Sequence, residues 1–109
     1  MPVGKKQVNQ YLKAYINRLT TDLSPCKVIL YGSLAKDTYR LGESDIDLLV
    51  VSKKFEAMDE DERFDYLYKK TTGFPLDWHV YGLTPKEAAN ISPLNTLSEA
   101  LRTGKILVE

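Results

Sequence analysis

Two aspartates, Asp45 and Asp47, stand one residue apart at the head of the apolar run that ends at Val51. In an extended strand alternate side chains share a face, so both carboxylates project together, with Cα atoms about 6.5–7 Å apart. Like charges held that close repel unless a cation lies between them or one takes up a proton. Carboxylate oxygens suit Mg²⁺ or Mn²⁺, and Mg²⁺ completes its shell with water and substrate phosphates. Taken alone, the pair reads as solvated acids at a strand end or as caps for neighbouring amides. Its company points to the metal. Asp77, in PLDWHVYG, also opens an apolar segment. If the two segments are neighbouring strands with their acidic faces aligned, three carboxylates meet, the ligand set of a two-metal phosphoryl-transfer site. Taken alone, Asp77 reads as an acid at a turn end beside Pro75. His79 shares its face and reads as a satisfied sheet histidine or as a partner behind the metal ligands.

Gly32-Ser33 follows the apolar run VILY and reads as a tight turn into a helix with Ser33 as its cap. The N–H groups of such a turn and of the helix start form an anion site, and glycine removes a Cβ that would obstruct a phosphate. Gly-Ser alone signals no more than a turn. Placed between two apolar strands and ahead of Asp-x-Asp, it is far more restrictive.

The elements that must hold these residues follow from periodicity. Val8, Tyr11, Leu12, Tyr15, Ile16 and Leu19 give an amphipathic helix over Val8 to Leu19. Strands are expected at Val28–Tyr31, Asp45–Val51 and Leu76–Tyr81, with a fourth at Ile106–Val108. A helix follows Asp59, with Glu62 completing a capping box, Gly73 as its C′ residue, and Phe64, Leu67, Tyr68 and Thr71 on its inner face. Thr84-Pro85 with Glu87 opens another helix, and Ser92-Pro93 opens a last one carrying Leu94, Leu97 and Leu101, closed by Gly104. Helices interleaved with strands predict an α/β (α+β) fold, a mixed sheet with helices packed against it, in a single domain over residues 1–109.

Composition sets the outer limits. At 43% hydrophobic and 28% charged residues, the chain is globular rather than disordered. Fifteen basic and fifteen acidic residues cancel, so no global positive field gathers nucleic acid, and any polyanion contact is local. The lone Cys26 allows no internal disulfide and fits a reducing cytoplasm. No segment predicts a signal peptide or a membrane span, and the cytosol is the expected location.

The stretch YGSLAKDTYRLGESDIDLLVV resembles the signature of the DNA polymerase beta nucleotidyltransferase superfamily, most closely its minimal (MNT-type) members. The resemblance implies a nucleotidyltransferase-like fold in which Gly32 and Ser33 hold the β- and γ-phosphates of a nucleoside triphosphate, expected to be ATP. It implies that Asp45 and Asp47 bind Mg²⁺ (or Mn²⁺), and that Asp77 ligates the catalytic metal and helps activate the attacking hydroxyl. The implied reaction moves a nucleoside monophosphate to a hydroxyl acceptor and releases pyrophosphate. Minimal members are often encoded beside a helical HEPN-domain protein, and some act as its antitoxin by modifying it, so a protein partner, a homodimer or both are implied. The phosphate loop departs from the family pattern at Leu34 and Asp37, and eleven residues separate Ser33 from Asp45. Lys36 and Arg40 read as phosphate contacts or as solvated helix residues. The alternative reading is a catalytically weak antitoxin or binding module that neutralises its partner by contact.

Overall fold

A computed structural model of the chain describes residues 5–32 and 46–108. Helix α1 (Lys5–Leu23) continues the expected helix at both ends. Val8, Leu12, Tyr15, Leu19 and Leu23 form one buried stripe, and Leu23 is simply its next step. Pro25 disfavours helical backbone at Ser24, and the chain turns there into the sheet.

Strands β1 (Cys26–Tyr31), β2 (Ile46–Ser52), β3 (Trp78–Leu83) and β4 (Lys105–Val108) lie in the order β3-β2-β1-β4. Strand β1 runs antiparallel to both β2 and β4, whereas β2 and β3 are parallel. The expected mixed sheet is therefore present. A parallel pair needs a crossover. Residues 53–77 supply it through a 3-10 turn (Lys53–Ala57) and helix α2 (Glu60–Lys69). Helices α3 (Pro85–Ala89) and α4 (Thr96–Thr103) follow β3.

The sheet is covered on both faces. Leu48, Val50, Trp78 and Val80 pack with Tyr15, Leu19, Phe55 and Leu67 under α1 and α2. Ile29, Leu49 and Val51 face the other way, against Ala88, Leu97, Ala100 and Leu101 of α3 and α4. On that second face β2 reads Asp47, Leu49, Val51, so an acid stands at one end of an otherwise buried stripe.

Both expected capping boxes form. Asp59 accepts the Glu62 N–H at 2.8 Å, and Thr84 and Glu87 exchange the same pair of bonds at 3.1 and 2.8 Å. Other expectations need correction. Phe64 is 51% exposed, and Arg63 takes the inward place beside Leu67. Its guanidinium can enter because it donates to the Phe55, Met58 and Gly82 carbonyls and to Glu87. Helix α2 is capped at Lys70, so Gly73 (φ +91°) belongs to the following turn. The last helix starts three residues beyond Pro93. Asn95 accepts the Leu97 N–H and caps it, while Leu94 is 95% exposed. Strand β3 is shifted two residues from the expected span and runs through Gly82. A Cβ there would sit 2.9 Å from the Phe55 ring, so the glycine admits that ring instead of breaking the strand.

Glu87 joins α3 to α2 through Arg63 at 2.6 Å. Its carboxyl is held below the usual range, first by the Thr84 N–H and also by the Arg63 guanidinium. A depressed folded-state pKa contributes stability above the unfolded value, and this is lost as pH falls through the folded one. Glu87→Ala is expected to cost about 1 kcal/mol at pH 7, modest because the carboxylate is half exposed and screened. The gap from wild type should narrow on acidification below the ordinary carboxylate range, which urea denaturation at pH 7 and at lower pH would read.

Candidate active site

The end of the sheet where β1 stops and β2 starts gathers the candidate residues that are described. Strand pairing sets Asp47 directly opposite Tyr31 on β1 and abreast of His79 on β3. Residues opposite one another in a ladder share a face. Asp47 is therefore flanked on one surface by a phenol and an imidazole. Tyr31 and Asp47 are half-buried, and His79 is exposed. Burial first, and then the nearby Asp47 carboxylate, push the Tyr31 phenol above its ordinary range, so it stays protonated at neutral pH.

Asp77 lies just ahead of β3 and is solvent-exposed. Its carbonyl accepts the Ile46 N–H at 2.8 Å, so the parallel ladder continues one residue past the strand. Two residues back from His79, Asp77 sits about 8 Å from Asp47 at Cα, from a rise of ~3.3 Å per residue and a strand spacing of ~4.8 Å. Two carboxylates at that separation leave room for an ion between them, and an all-oxygen donor set suits Mg²⁺ or Mn²⁺. Among the described residues alone, no three His, Cys, Asp or Glu side chains group closely enough to hold a metal. Asp45, the third expected ligand, lies outside the described residues. So do Ser33, the departures Leu34 and Asp37, and the candidate phosphate contacts Lys36 and Arg40.

Gly32 directly follows β1 with φ +75°, the left-handed region that glycine enters without penalty. A Cβ at this position would overlap the Asp47 carboxylate. Gly32 and Tyr31 also border a pocket of about 270 Å³ whose far wall is Thr96, Glu99 and Thr103 of α4 and Lys105 of β4. Sequence reasoning missed Tyr31 and this wall. The run VILY marks a strand, but only the pairing register shows which of its residues stands against Asp47.

A family model described as a nucleotidyltransferase domain matches residues 12–102. The chain belongs to that family. Nucleotidyl transfer is accordingly the class of chemistry of this nucleotidyltransferase domain. The crystal structure of a protein from Sulfolobus solfataricus, proposed to be a nucleotidyltransferase, superposes with a TM-score of 0.52 at 23% identity. The match covers 82% of this chain and 83% of that one, and the two share the fold. No curated protein shows significant similarity to the nucleotidyltransferase domain. Among its described residues no helix is long and apolar enough to cross a membrane.

Proposed function

We propose that the domain transfers a nucleoside monophosphate from ATP, or another nucleoside triphosphate, to a hydroxyl acceptor, with Mg²⁺ or Mn²⁺ as the metal. The observation that carries this reading is the Asp47 carboxylate lying over the side-chain-free Gly32, on the same sheet end as Asp77. Asp45, Asp47 and Asp77 would hold the metal, and Gly32 and Ser33 the triphosphate. A bound divalent cation supplies charge neutralisation for the phosphates and the attacking oxygen. The domain's own residues hold the reacting groups in line, and no covalent intermediate is needed. The acceptor is proposed to be a hydroxyl on a partner protein of the helical HEPN type.

Thermal unfolding with ligand tests the site. Mg²⁺ plus ATP at about ten times Kd should stabilise the wild type by ~1.4 kcal/mol, roughly 5 °C in Tm for a chain of this size. The shift should vanish in Asp45→Asn/Asp47→Asn. No shift in the wild type would favour a module that acts on its partner by contact alone. Incubation with each labelled triphosphate and a host lysate then identifies the acceptor: label on one protein supports protein modification, and label on RNA contradicts it.

A further inference from the structure

We propose that Gly32 is a positioning residue for the Asp47 carboxylate, keeping clear the space in which that group must lie to bind metal. The inference rests on the reading of Asp47 as a metal ligand and goes beyond the phosphate contact expected of a glycine in this turn.

The geometry separates the two duties. A Cβ built on Gly32 overlaps Asp47 Oδ2 and comes 3.1 Å from its Cγ and 3.4 Å from its Cβ. The obstacle is a short, stiff side chain whose carboxylate leans across the end of β1. Asp47 is flanked on that face by its ladder neighbours Tyr31 and His79, so a carboxylate that moves aside leaves its place between them. Any side chain at position 32 therefore displaces the carboxylate. The positive φ of Gly32 is an independent reason for glycine. A glycine needed only for its φ is replaceable by asparagine, which enters the left-handed region more readily than other residues. A glycine needed only for phosphate approach leaves metal affinity untouched when substituted.

The test titrates Mn²⁺ alone, without nucleotide, into wild type, Gly32→Ala and Gly32→Asn, following free Mn²⁺ by electron paramagnetic resonance. The Kd should rise about 10- to 100-fold in both variants, the usual range when a group that orients a metal ligand is disturbed. Normal Mn²⁺ affinity in Gly32→Asn overturns this proposal alone. A wild type that takes up no Mn²⁺ overturns it together with the reading on which it rests. Stability gives a second readout independent of metal. The Tm loss from Gly32→Ala should be smaller in an Asp47→Ala background, where the overlapping carboxylate is gone and only the cost of the positive φ remains. Equal losses in both backgrounds, or a double variant that does not fold, overturn the proposal.

Discussion

Asparagine at position 47 is expected to slow nucleotidyl transfer at least about a thousandfold while leaving the fold intact. The substitution keeps the side chain's shape and one oxygen but removes the charge that a hard divalent cation requires. A thousandfold corresponds to about 4 kcal/mol of barrier, the scale lost when a preorganised electrostatic group is removed from a phosphoryl- or acyl-transfer site. Stability without metal should change little, since the amide keeps the size of the half-buried carboxylate and one of its acceptor oxygens. Asp77→Asn is expected to behave alike. Asp22→Asn is the control: that carboxylate bonds Tyr66 and Lys70 instead of facing the candidate site. Single-turnover transfer of labelled nucleotide to the acceptor, with Tm for each variant, reads all three. A loss under about tenfold in Asp47→Asn would remove it from the catalytic set.

Tyr15→Ala should give the largest loss of stability among single substitutions in the helix α1 stripe, about 3–5 kcal/mol. The side chain has no exposed surface, and its ring centroid lies 4.6 Å from that of Trp78. Its hydroxyl donates to the Leu67 carbonyl at 2.8 Å, tying α1 to α2. Burial holds the phenol protonated well above its ordinary range, so this bond has no pH dependence near neutrality. Tyr15→Phe keeps the ring and loses only the hydrogen bond, for about 1 kcal/mol. Against a typical total of roughly 5–15 kcal/mol, the alanine variant gives up a large share of the stability. The loss reaches the candidate site too, because Trp78 directly follows Asp77 and anchors the start of β3. Urea denaturation of both variants checks the ranking, and a Tyr15→Ala loss below about 1 kcal/mol would contradict it.

Elements whose signals lie within a few residues are legible in the sequence alone. The Asp59–Glu62 and Thr84–Glu87 boxes are short-range hydrogen bonds written three residues apart, and both form. The two-residue period of a strand settles that Asp47 shares a face with Leu49 and Val51, and the buried clusters agree. The α1 stripe follows in the same way from helical period. Inward and outward faces of α2 did not, because Arg63 is admitted to the interior only by carbonyls from Phe55, Met58 and Gly82, which the chain brings there from either side of the helix.

By itself, the order of residues determined which positions carry acids, which runs are strands, and that a glycine closes the strand before Asp-x-Asp. Only the tertiary structure decided that β2 lies between β1 and β3, that Asp47 falls between Tyr31 and His79, and that its carboxylate occupies the place of a side chain at Gly32. The physical reason is range. Periodicity and capping act through neighbours along the chain, whereas ladder register is chosen by burying both faces of the sheet at once, a condition no single segment contains.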